Sequence, residues 1–177
     1  MWSRNIFFLM LAALFVACNE PPKEEKKEAP EWSKEKSSEV NKKWVEHEEK
    51  QIQAYVDRRS NWEVTKTGTG LRYYIFEKNP EGDSIEPEMQ VFLNYNVKLL
   101  DGTLCYSSDS TGTESFIVDH EDIESGLHEG IKKFRKGEKG ILIIPHYLAH
   151  GLIGDRTKVP PLSTVVYNIE VVDVTIP

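Results

Sequence analysis

Three observations put the chain in the α+β class, as a domain whose antiparallel sheet buries one face on a single short helix. Residues 90–100 and 162–174 alternate with a period of two, as half-buried strands do. Between them Ile123, Leu127, Ile131 and Phe134 are spaced four, four and three apart, which marks one apolar helix face. Turn-forming residues, Pro80-Glu81-Gly82-Asp83 and Asp101-Gly102, punctuate the strands.

The N-terminus precedes that domain and differs from it. Arg4 gives a positive start, Ile6 to Val16 is an apolar run, and Ala17 is small. The run falls short of the ~20 residues that span a bilayer. It ends in Phe15-Val16-Ala17-Cys18, which resembles a bacterial lipobox. That likeness implies a signal peptide over 1–17 and acylation of Cys18, by palmitate among other chains, which leaves Cys105 as a lone thiol. An ordinary signal peptide cut nearby, or an internal apolar segment, is the plainer alternative. Asn19, in place of aspartate after the cysteine, leans toward the outer membrane rather than the inner one.

Residues 18–36 read as a disordered stalk. Asn19 to Pro30 is proline-bounded and mixed in charge, and it holds too little apolar surface to offset its ordering entropy. The segment also resembles the surface-export signal of Bacteroidetes lipoproteins; a solvated spacer is the alternative. From 37 to 60 the period turns helical, with Val40, Trp44, Ile52, Tyr55 and Val56 near one face and Ser37 or Ser38 as cap. Such a helix packs on the domain behind it or pairs with another subunit.

The remaining elements lie within 61–177. Leu71–Glu77 is a β-rich run. In Gln90–Leu100, Val91, Leu93, Tyr95, Val97 and Leu99 share one face. Thr103–Tyr106 and Ser115–Asp119 are short strands, and the apolar helix face runs from Ile123 to Phe134, with Gly137 closing the helix. Gly140–Ile144 and Leu162–Val174 complete the sheet.

Charge narrows the partners. With 22 Lys and Arg against 29 Asp and Glu, the net charge is −7, which argues against nucleic acid or an acidic membrane surface. His146 and His150 stand four apart, but Pro145 and Gly151 oppose a helix that would align them on a metal. Ser107-Ser108-Asp109-Ser110 has no glycine-flanked elbow and reads as a polar loop.

In order, the domain carries Val91-Phe92-Leu93-Asn94-Tyr95, Leu100-Asp101-Gly102, Gly126-Leu127-x-x-Gly130-Ile131, Lys136-Gly137-Glu138-Lys139, Ile144-Pro145-x-x-Leu148-Ala149-His150-Gly151 and Val159-Pro160-Pro161. This series resembles the FK506-binding-protein (FKBP) class of peptidyl-prolyl isomerases. Within it, the N-terminal layout looks most like the gliding-motility-associated isomerases of Bacteroidetes. The resemblance implies a sheet wrapped around the short helix, with a shallow apolar pocket between them. It implies an isomerase of X-Pro bonds in exported proteins that needs no cofactor and no metal.

Residue by residue, the resemblance implies pocket roles for Tyr95 and for Tyr167 on the last strand. Ile123 and Val159 match aliphatic walls, and Leu127 stands where many members have a floor tryptophan. Glu124 matches the position whose backbone N–H bonds the peptide, and Phe116 faces the pocket or the core. Two departures stand out. Cys105-Tyr106 replaces an aromatic–aspartate pair, so the pocket acid is expected to be missing, and His150 replaces a tyrosine. The alternatives that follow are a catalytically weak binding or chaperone module, or a structural subunit of a surface machine.

Overall fold

The computed structural model describes residues 33–120 and 122–176. Cys18, the 1–17 signal segment and most of the expected stalk lie outside them. The stalk's last residues do not: helix α1 spans Lys34–Asp57 and begins inside the range read as stalk. Ser33, rather than Ser37 or Ser38, is its cap, because its side chain accepts from the Lys36 N–H at 3.2 Å.

Seven strands follow: β1 Thr65–Lys66, β2 Arg72–Glu77, β3 Gln90–Leu99, β4 Leu104–Ser107, β5 Glu114–Ile117, β6 Lys139–Ile144 and β7 Val165–Thr175. They form one antiparallel sheet in the order β1-β2-β6-β7-β3-β4, with β5 also paired to β3. β3 and β7 pair along their length, from Gln90–Thr175 to Leu99–Val165. This is the α+β architecture that the alternation predicts.

The inner face of the sheet carries the main core. Val91, Leu93, Val97, Leu142, Ile144, Val165, Ile169 and Val171 meet Leu127, Ile131 and Phe134 there. Leu127 and Ile131 belong to helix α3, Ser125–Ile131, which is shorter than the Ile123–Phe134 spacing suggests. Ile123 and Phe134 continue the apolar face from the turns at either end. Gly137 therefore does not close the helix: it has φ +83 six residues further on and donates to the Val171 carbonyl as the chain enters β6. Gly126 and Gly130 let α3 lie close on β6. A Cβ on Gly126 would fall 2.2 Å from Ile144 Cγ2, and one on Gly130 would fall 2.5 Å from Leu142 Cδ1.

The outer face has its own cluster. Ile143 and Val166 point away from α3 and pack on Ile52 and Tyr55 of α1, with Trp62 beside them. Thus Leu142–Ile144 and Val165–Tyr167 read as continuous apolar runs because this part of the sheet is covered on both faces. Tyr55, Trp62 and Tyr74 extend the cover as an aromatic series, with centroids 6.1 and 5.9 Å apart. Complete burial of Ile52 alone contributes about 1.5–3 kcal/mol.

Polar groups lock α1 in place. Glu48 is buried and accepts from the His146 backbone N–H at 2.7 Å, His146 Nδ1 at 2.6 Å and the Thr164 hydroxyl at 2.5 Å. Glu49 meets the buried Arg72 guanidinium at 2.5 Å and Lys66 at 2.6 Å. These contacts outweigh the effect of burial and hold the Glu49 carboxyl below its usual range. His146 and Thr164 bracket the β6–β7 connection, so α1 braces the loop that carries His150.

Candidate functional site

A cavity of about 480 Å³ opens between α3, β3, β5 and the β6–β7 connection. Leu127 reaches it from α3 and Phe116 from β5, both nearly covered. Leu93 and Val97 complete the apolar base from β3, and Ile123 forms a wall before α3. Tyr95 on β3 and Tyr167 on β7 are brought side by side by strand pairing, with centroids 6.0 Å apart and ring planes at 38°. Ser107–Ser110 is not a simple loop. Ser107 caps a one-turn helix, α2, Ser108–Thr111, and the Ser108 hydroxyl accepts from the Tyr95 backbone N–H at 2.8 Å.

Polar groups converge on this recess in pairs. The Tyr95 hydroxyl donates to Glu114 at 2.7 Å. The Tyr167 hydroxyl donates to Glu124 at 2.9 Å, and His150 Nε2 lies 2.9 Å from the same carboxylate oxygen. The Tyr106 hydroxyl donates to Asp155 and lies 2.7 Å from the Thr157 hydroxyl. Burial first, and the facing carboxylates next, push the Tyr95 and Tyr167 hydroxyls above the usual phenol range, so both remain protonated donors.

Asp155 corrects the expectation of a missing pocket acid. The residue after the Asp-Gly turn has lost its carboxylate, but the β6–β7 connection supplies one that meets Tyr106. Asp155 also accepts the backbone N–H groups of Thr157, Lys158 and Val159 at 2.8–2.9 Å. Burial alone would raise its pKa. The Tyr106 and backbone hydrogen bonds outweigh that and hold it well below the usual carboxylate range.

Of the ten residues singled out from sequence as catalytic or substrate-binding, Tyr95, Tyr106, Phe116, Ile123, Glu124, Leu127, His150 and Tyr167 line the cavity. Cys105 and Val159 do not: both are 2% exposed and lie in the core. The Cys105 sulfur sits 3.5 Å from the Lys158 carbonyl, and the Val159 N–H is bound to Asp155, so these residues support the loop instead of facing a ligand. Burial pushes the Cys105 thiol above its ordinary range. Leu93, Val97, Glu114, Ser115 and Asp155 were missed. Leu93 and Val97 share the β3 face with Tyr95, a signal present in the alternation, and Asp155 follows Gly154 in turn-like sequence. Among the described residues no group of three His, Cys, Asp or Glu side chains could hold a metal ion. The two loop histidines instead face separate glutamates.

Comparison with known proteins now decides the family. The profile of the FKBP-type peptidyl-prolyl cis-trans isomerases matches residues 82–172. The chain belongs to that family. FkpA of Escherichia coli is 36% identical over 112 residues, which is 63% of this chain and 40% of that protein. The crystal structure of E. coli FkpA superposes with a TM-score of 0.65 at 30% identity, covering 79% of this chain and 64% of that one. AtFKBP13 shares the fold, with a TM-score of 0.58 at 23% identity over 63% of this chain and 98% of that one. The chain spans less than half the length of the FkpA relatives that it matches.

Proposed function

We propose that this chain isomerises X-Pro peptide bonds in exported proteins. The observation that carries the reading is the recess itself, a space of about 480 Å³ with room for a prolyl ring and its neighbours, to which Tyr95, Tyr167, Phe116 and Leu127 give an aromatic and aliphatic lining. Amide resonance sets a barrier of roughly 18–20 kcal/mol to rotation. No bond breaks, so the reaction asks for neither nucleophile nor metal. A site accelerates it by holding the twisted imide better than either planar form. Water favours the more polar planar amide, so dry walls from Leu127, Phe116 and Ile123 favour the twist. Hydroxyl and imidazole donors at Tyr95, Tyr106, Tyr167 and His150 orient the flanking carbonyls.

A specific observation favours a second reading, that of a catalytically weak peptide-binding or chaperone module. Each of those donors already faces a carboxylate, so a substrate carbonyl must compete for it. A protease-coupled cis–trans assay separates the readings. Isomerisation above background at micromolar protein is expected; its absence would leave the binding module.

The proposal extends to location. Lipid on Cys18 tethers the domain at the bacterial cell envelope, at the outer membrane rather than the inner one. The lipobox-like tetrad and Asn19 support this, and the N-terminal layout supports a link to gliding machinery. Several acyl chains would be required, because a single chain anchors only marginally. Cys18→Ser is expected to move the protein from the membrane fraction to the soluble one; unchanged fractionation would refute the anchor.

A further inference from the structure

The recess carries more negative charge than proline recognition needs. Glu114, Glu124 and Asp155 all line it, and none of its lining residues is Lys or Arg. They come from three separate elements: β5, the turn before α3, and the β6–β7 connection. Each is fixed by a pocket phenol, Tyr95, Tyr167 or Tyr106 in turn. Thr111 adds a second hydrogen bond to Glu114 at 2.7 Å. Neutral donors of this kind fix a carboxylate in position without cancelling its charge.

Compensation nearby is slight. His150 stands beside Glu124 and offsets at most one charge, and only when protonated. Lys158 Nζ lies 4.8 Å from the centre of the Tyr106 ring, outside the lining. The chain as a whole carries −7, so its net charge does not offset the field of these carboxylates. Apolar walls beside the carboxylates focus that field into the recess.

We propose that this pocket selects X-Pro segments in which Lys or Arg flanks the proline, with Glu114, Glu124 and Asp155 as the specificity-determining residues. The proposal rests on the reading of the recess as an X-Pro site. The apolar base takes the pyrrolidine ring whatever its neighbours are. The carboxylates then attract a cationic side chain next to it and repel an acidic one. Attraction shared among partly solvated charges amounts to about a five- to tenfold preference for Lys over Glu.

The test uses the full chain and labelled peptides that differ only in Lys, Leu or Glu before the proline. Turnover is read as kcat/KM and affinity by fluorescence anisotropy, at low salt and at about 1 M NaCl, where screening acts within roughly 3 Å. The expected order is Lys, Leu, Glu by both readouts, with the spread collapsing at high salt and narrowing about twofold in Glu114→Gln. Binding in that order without turnover would support charge selection while sinking the isomerase activity. Equal turnover and affinity for the three peptides, or a spread indifferent to salt, would overturn charge selection and leave the isomerase standing. Neither turnover nor binding of any peptide would overturn both.

Discussion

His146 and His150 stand four residues apart in one connection, and each faces a glutamate, Glu48 of α1 at 2.6 Å and Glu124 beside α3 at 2.9 Å. The first pair lies behind the sheet, with both side chains 6% exposed. The second lies at the pocket, with 24% and 13% exposure. Glu48 is fully engaged, receiving hydrogen bonds from the His146 N–H, its ring and Thr164. Glu124 shares its carboxylate between His150 and a pocket phenol at the edge of a space large enough for a ligand. The same two residue types therefore do different work: burial makes one pair a brace, and access to a cavity makes the other part of a site.

Removing the brace should give the largest effect. Glu48→Ala leaves His146 and Thr164 buried without their acceptor and is expected to cost about 3–5 kcal/mol, read by urea denaturation. Glu124→Gln keeps an acceptor for Tyr167 and should cost less than about 1.5 kcal/mol. Equal losses in the two variants would break the comparison.

A smaller loss is expected on the pocket side of the sheet. Gly130→Ala pushes a methyl group against Leu142 and should destabilise by about 1–3 kcal/mol, because the flexible leucine end can partly yield. Tyr167→Phe sharpens the contrast differently. It should leave stability within about 1 kcal/mol, since one hydrogen bond to Glu124 is lost, yet lower kcat/KM roughly fivefold.

The smallest effect is pH-dependent. Asp155 has a lowered pKa in the folded chain, so its contribution is complete above the ordinary aspartate value near ~3.9 and is lost as pH falls toward the lowered one. Asp155→Asn should be less stable than the parent by about 1 kcal/mol at neutral pH, and the gap should close below about pH 4. A gap constant down to acid would mean that the carboxylate's charge is irrelevant to the loop.

These regions differed in how far sequence could reveal them. The period of β3 and β7 exposed the sheet face on which Tyr95 and Tyr167 lie, but their pocket roles came from the resemblance to the FKBP class; the pairing of Tyr167 with Val97 and of Tyr95 with Ile169 sets the two rings side by side. The motif order then pointed to Ile123, Leu127 and Phe116. Glu48 gave no such signal. On α1 it looks like one more solvated charge among Glu46, Glu49 and Lys50, and its burial shows only in contact with His146 and Thr164, 98 and 116 positions away. Asp155 was hidden for the same reason, since its meaning depends on Tyr106 across the fold. Local pattern reports which face a residue is on; it does not report which distant group it meets.

On the proposed reading, the inner-face recess turns X-Pro bonds while the outer face holds the fold. Exchange-spectroscopy NMR on an X-Pro peptide measures this directly in the presence of parent protein, Tyr95→Ala/Tyr167→Ala and Glu48→Gln. Catalysed exchange is expected with the parent, with a loss of tenfold or more in the tyrosine double variant and a rate near the parent's for Glu48→Gln at a temperature where it is folded. Exchange that survives loss of both tyrosines would contradict that reading.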